Sequence, residues 1–142
     1  LISLIAVCYS QTGFTFEGGE YKCEGDESCA GITDSQLVET LLCKGFCSCC
    51  GSVFTFPCSA DKCSIECEEE DSCSGAYIVM DNVESVSCGE PRACAGAQFY
   101  IDAVNGAKFE CSDEEACEEA YFYIQMDSSS TTNHIDELQC DG

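Results

Sequence analysis

The chain has 142 residues, room for one domain or one short repeat array, and 16 of them are cysteine. Without those cysteines the 45% hydrophobic content falls to about a third, too little for burial alone to offset chain ordering, so disulfides and an oxidising, extracellular or cell-surface setting are implied. With 27 Asp and Glu against 5 Lys and Arg, the net charge of −22 excludes a nucleic-acid partner, and no stretch reaches the ~20 apolar residues of a membrane span.

The first predicted element is LISLIAVC, residues 1–8, apolar except for Ser3. It reads either as the remnant of a leader peptide or as a mature strand that needs a surface to bury itself against. Residues 1–20 are accordingly expected to be an N-terminal strand segment available for donation to a neighbour. Residues 30–63 are predicted to be a helical, cysteine-rich insertion. Asp34 or Ser35 caps the helix, Leu37, Leu41 and Leu42 give its apolar face, and Gly45 stops it. Cys43, Cys47, Cys49, Cys50, Cys58 and Cys63 are read as a disulfide knot around this excursion. The C-x-C-C cluster within it has a zinc or copper site as its alternative.

Residues 64–142 are predicted to be regular coils. YKCEGDESCAGI (21–32), IECEEEDSCSGAYIVM (65–80), VSCGEPRACAGAQFYI (86–101) and FECSDEEACEEAYFYI (109–124) share one template. Each runs apolar, any residue, Cys, five residues, Cys, then an alternating apolar stretch, and LQC (138–140) begins it again. The first cysteines, Cys23, Cys67, Cys88, Cys111 and Cys140, are 44, 21, 23 and 29 residues apart, which is one double step, two unit steps and one step with an insertion. A unit of about 22 residues rich in β-formers is one coil of a solenoid. The expected fold is therefore all-β, a short disulfide-braced parallel β-helix forming a single domain over 1–142. Ala76, Ala97 and Ala120 would form an inward ladder, with Phe99, Phe122 and Tyr77 filling the wider core.

The five residues between paired cysteines become solvent-facing turns. Cys23–Cys29, Cys67–Cys73, Cys88–Cys94 and Cys111–Cys117 can be bridged within their own coils; equal spacing favours this, with bridging between neighbouring coils as the alternative. Stacked turns would align Asp26, Glu27, Glu69, Glu70, Asp71, Glu90, Asp113, Glu114 and Glu115 along one edge. Like charges one strand spacing apart repel by roughly 1 kcal/mol per pair in water, so weakly bound calcium is the one cofactor this edge suggests. The polar segment 126–134 carries Ser128, Ser129, Ser130, Thr131 and Thr132, candidates for O-linked sugar, whereas no N-x-S/T sequon occurs in the chain.

The C-x5-C units resemble those of cysteine-rich right-handed parallel β-helix proteins, a loose group of secreted and cell-surface proteins. In size and cysteine content the chain also resembles protomers of extracellular glycofibrils. The resemblance implies a fibrous or surface role. The wider β-helix class includes polysaccharide-cleaving enzymes, but the lone His134 and the scattered Lys22, Lys44, Lys62, Arg92 and Lys108 compose no catalytic set, so no enzyme activity is expected. Ice binding needs a threonine array in every coil, and only Thr15 and Thr55, each in FTF, recur.

A solenoid's terminal coils need covering. The expected solution is head-to-tail homopolymerisation, in which Leu1, Ile2, Leu4 and Ile5 complete a neighbour's sheet and Cys8 pairs with Cys140 of the adjacent copy. The alternative is a secreted monomeric module binding cations or carbohydrate, with Tyr9, Tyr21, Tyr100 or Tyr123 as stacking platforms.

Overall fold

Alternation with a period of two drives the architecture. In TLLCK and CSIECE every second side chain is apolar or a cysteine, and each of those points inward. The computed structural model describes residues 14–113, 115–126 and 135–140. In chain order the strands are β1 (Phe14–Glu17), β2 (Glu20–Glu24), β3 (Thr33–Asp34), β4 (Thr40–Lys44) and β5 (Val53–Phe56). They continue with β6 (Cys63–Glu68), β7 (Tyr77–Cys88), β8 (Gln98–Cys111), β9 (Tyr121–Met126) and β10 (Ile135–Cys140). The chain is an all-β solenoid, with no helix among the described residues.

Parallel pairing stacks equivalent residues in columns. On one face Tyr21, Leu41, Ile65, Val86 and Phe109 share a column, and Cys23, Cys43, Cys67, Cys88, Cys111 and Cys140 share the next but one. On the second face Phe54, Ile78, Phe99 and Phe122 form one inward column, and Phe56, Met80, Ile101 and Ile124 another. The long strands β7 and β8 bend around the corner and serve both faces, with register shifts at Met80/Val83 and Val83/Ser85.

The cysteine column contains a regular coil within residues 30–63, the stretch expected to be a helical insertion. Cys43 splits the 44-residue double step into 20 and 24 residues (43 − 23 and 67 − 43). Residues 34–51 form no helix: Leu41 is buried on the inner side of β4, Leu42 points outward, and Leu37 is 60% exposed. Asp34, expected to cap a helix, instead accepts the phenolic hydrogen of buried Tyr21 at 2.7 Å.

Each turn leaves the core through its first cysteine and returns through the second. Disulfides join Cys23–Cys29, Cys43–Cys49, Cys67–Cys73, Cys88–Cys94 and Cys111–Cys117, each within its own coil, with Cys47–Cys50 and Cys58–Cys63 besides. All six cysteines of the expected knot are thus oxidised, which leaves no thiolate there for zinc or copper. Closing so short a loop is worth about 2 kcal/mol in the chain-entropy model. The bridges also fill core volume, since Cys23, Cys29, Cys43, Cys49, Cys73 and Cys94 are completely buried.

Neighbouring turns are tied by backbone hydrogen bonds. Cys29 N–H donates to Ser48 O, Cys49 to Ser72 O, Cys73 to Ala93 O and Cys94 to Ala116 O, at 2.7 to 2.8 Å. Two backbone positions are left-handed in all five turns. The fourth residue after the first cysteine (Glu27, Cys47, Asp71, Arg92, Glu115) has φ between 53° and 60°. The eighth is Gly31, Gly51, Gly75 or Gly96 in the first four coils and Glu119 in the fifth.

β1 differs from the other strands. It folds back antiparallel onto β2 through Gly18 and Gly19, both at positive φ, as a two-residue hairpin requires. Residues 14–17 therefore pair within their own chain, so donation of the whole 1–20 segment is corrected, and residues 1–13 lie outside the described region. Tyr77, expected in the core, faces outward because strict alternation starts from buried Ala76. Ala76 and Ala97 are buried, and Ala120 is half-buried.

Candidate functional site

Three surfaces follow from this frame: the turn edge, the last described rung and the outward side of the second face. On the turn edge the carboxylates do not form an unbroken column. The second coil places Lys44, Phe46 and Cys47 where its neighbours carry acids, and the fourth places Arg92 there. Lys44 Nζ lies 3.3 Å from Glu68, Arg92 Nε lies 3.2 Å from Asp71, and Asp26 accepts Phe46 N–H at 3.2 Å. Two further pairs are Lys22–Glu20 at 2.8 Å, within β2, and Lys62–Glu84 at 3.2 Å, between neighbouring coils. The hydrogen bond and charge of Glu20 push the Lys22 ammonium pKa upward.

Among the described residues, no three carboxylates bring oxygen atoms within 4.8 Å of one another; the only such donor groups are sulfurs of bridged cysteines. Glu27, Glu69, Glu70, Glu90, Asp113 and Glu115 are spread over the turns of different coils, and Glu114 lies outside the described residues. The carboxylate-rich edge is a solvated, partly charge-paired surface.

The last rung is the second surface. In β9 the inward residues Phe122, Ile124 and Met126 are only partly buried. One coil below, Phe99 and Ile101 are 0% and 1% exposed. β9 pairs with β8 alone among the described strands, leaving its other edge without a strand there. On the first face β10 continues the ladder, setting Cys140 in register with Cys111. Among the described residues seven disulfides use fourteen of the chain's sixteen cysteines. The other two are Cys140, placed by its backbone in β10, and Cys8, which lies outside the described residues with Leu1, Ile2, Leu4 and Ile5.

The third surface is aromatic. Outward positions of β7, β8 and β9 carry Tyr77, Tyr100, Tyr121 and Tyr123. Tyr100 is central, its ring centroid 5.1 Å from that of Tyr77, 5.8 Å from Tyr123 and 6.3 Å from Tyr121. Tyr121 and Tyr123 remain 54% and 52% exposed. Beside them runs a groove of about 260 Å³, lined by Thr55, Pro57, Val79, Tyr100 and Tyr123, with Asp81 and Asp102 at its rim. Asp81 is fixed by accepting the backbone N–H of Cys58.

Of the expected tyrosine platforms, Tyr100 and Tyr123 sit side by side on this groove, and Tyr9 lies outside the described residues. Tyr21 is a correction. It is completely buried against Phe54 and Phe56, with centroids 5.5 and 4.7 Å away, and burial followed by its bond to Asp34 pushes the phenol far up. Tyr77 and Tyr121 were missed; counting alternation outward from the small residue after each turn would have found both.

Thr15 and Thr55 do not stack, since Thr15 pairs with Lys22 and Thr55 with Val79, so the described coils hold no threonine ladder. His134 and Ser128 to Thr132 lie outside the described residues. Comparison with protein-family models, with curated proteins and with solved structures finds no match for this chain.

Proposed function

We propose that the protein is a structural subunit of an extracellular filament or cell-surface fibril, built by stacking copies head-to-tail along the solenoid axis. The carrying observation is the contrast between Phe99 and Ile101, which are covered, and Phe122, Ile124 and Met126 in the next rung, which are not. A further rung supplied by another copy would bury these three side chains and pair the edge of β9 that no described strand occupies.

The apolar gain is small. Three half-exposed side chains contribute on the order of 1 kcal/mol each, whereas association costs about 4–15 kcal/mol in lost freedom. Backbone pairing and a covalent link must supply the remainder. Residues 1–8, apolar and bearing Cys8, are suited to both tasks: Leu1, Ile2, Leu4 and Ile5 would add as a strand to the neighbour, and Cys8 would bridge to its Cys140. The acidic turns keep the sides of such a fibre mutually repulsive, so growth is confined to the axis. O-linked sugar on Ser128 to Thr132 would add to that lateral exclusion. The many disulfides are consistent with a secreted protein.

Negative-stain imaging of the purified protein tests the reading. Fibres with a uniform axial repeat, and a ladder of covalent oligomers on non-reducing gels that collapses on reduction, are expected. Discrete monomeric particles at all concentrations would remove the proposal.

A further inference from the structure

The outward face of β7, β8 and β9 has no part in axial stacking, and its chemistry differs from the rest of the surface. Tyr77, Tyr121 and Tyr123 each stand beside Tyr100, on three adjacent strands of an otherwise acidic, polar chain. Among the described residues none of their phenol groups has a hydrogen-bond partner, so they are not committed to holding the fold. The geometry points to a binding groove for a neutral polysaccharide, held with its pyranose faces against Tyr100 and Tyr123 and its hydroxyls donating to Asp81 and Asp102.

Three observations select this occupant. First, the groove is open and shallow at about 260 Å³, below the roughly 300–1,000 Å³ of enclosed small-molecule pockets, which suits a segment of a polymer. Second, its rim offers carboxylates and no lysine or arginine, so it repels uronates and sulfated sugars and accepts hydrogen bonds from uncharged polyols. Asp102 has no partner among the described residues and is available, while Asp81 keeps an oxygen beyond the one that holds Cys58. Third, the groove crosses the strands. Its two tyrosines, Tyr100 and Tyr123, therefore stand on adjacent rungs with ring centroids 5.8 Å apart, comparable to the length of one hexopyranose in an extended β-linked chain. A peptide lying across the strands would find no backbone edge to pair with, which disfavours the other polymer that stacks on tyrosines. The inference does not rest on filament formation; in a fibre, repetition of the groove would add avidity.

The test uses the full chain, whose lack of tryptophan leaves tyrosine emission readable. Cellohexaose, laminarihexaose and mannohexaose are titrated by calorimetry and by tyrosine fluorescence, with oligogalacturonate and a proline-rich basic peptide as comparators. At least one neutral hexasaccharide is expected to bind saturably and oligogalacturonate not to bind. Tyr100→Ala or Tyr123→Ala should weaken binding by roughly tenfold or more, and Tyr100→Phe should retain most of it. In the unaltered protein the bound sugar should shield Tyr100 and Tyr123 from nitration, a readout that does not depend on any variant folding. The inference is overturned if no neutral hexasaccharide binds, if binding survives loss of both tyrosines without shielding them, or if only the peptide occupies the groove.

Discussion

Phe99 and Phe122 stack with ring centroids 4.8 Å apart and planes 6° from parallel, yet Phe99 is wholly buried and Phe122 is not. The same contact is thus worth different amounts on its two sides. In the isolated chain Phe99→Ala should cost about 3–5 kcal/mol, as for a large core ring, and Phe122→Ala only about 1–2 kcal/mol. Urea unfolding of both variants measures the difference. Equal losses would mean that the last rung is already covered.

The left-handed position eight residues after the first cysteine is glycine in four coils and Glu119, at φ 55°, in the fifth. A side chain there strains the backbone by roughly 1–2 kcal/mol. Glu119→Gly should raise stability by roughly 0.5–1 kcal/mol after the entropy of the added glycine is counted, and Gly96→Glu should lower it by a similar amount. A denaturation midpoint that falls for Glu119→Gly would refute the assignment of strain.

The residue before each second cysteine is Ser28, Ser48, Ser72, Ala93 and Ala116, all buried. The hydroxyls of Ser48 and Ser72 find no partner among the described residues, and two coils already use alanine at this place. Ser72→Ala should therefore be neutral or stabilising by up to about 1 kcal/mol. Ser52 gives the contrast, because its hydroxyl donates to Cys29 O from a buried site. Ser52→Ala should cost about 1 kcal/mol. Thermal melts of the two variants shifting in the same direction would count against this account.

Alkaline pH should act through Tyr21. Burial, and then the bond to Asp34, raise its phenol well above the ordinary value near 10, so the folded state holds a proton that the unfolded chain releases. The stabilisation is complete below about pH 10 and is lost progressively as pH rises beyond it. Stability measured between pH 8 and 11.5 should fall more steeply for the unaltered protein than for Tyr21→Phe. Parallel curves would show that some other group sets the alkaline limit.

The repeat was legible because the inward cysteines tolerate no change of spacing within a turn: each pair has a sequence separation of 6, in five coils. The coil at Cys43 escaped notice although CKGFCSC is itself C-x5-C. Cys47 inside the loop disguised the spacing, and Leu37, Leu41 and Leu42 imitated a helical stripe. In the structure those three leucines have unrelated surroundings, because the chain bends between Leu37 and β4. The evenness of the acidic edge was overestimated for a related reason: stacking brings Lys44 and Arg92 between the carboxylates, and only register reveals that. Tyrosine placement was half legible. Alternation determines the facing of Tyr77 and Tyr121 once the turn is located, but Tyr21 depends on a long-range acceptor, Asp34, that no local pattern announces.

Among the described residues, none of the seven disulfides joins one coil to the next; each closes a segment of at most six residues' separation. Between the described coils of one copy, tension applied along the axis therefore meets rows of hydrogen bonds and packed side chains, which yield rung by rung, while the crosslinks limit how much slack each yielding rung can release. Such a molecule lengthens in short, recoverable increments under load, and its sulfur chemistry governs extensibility rather than whether the rungs hold together.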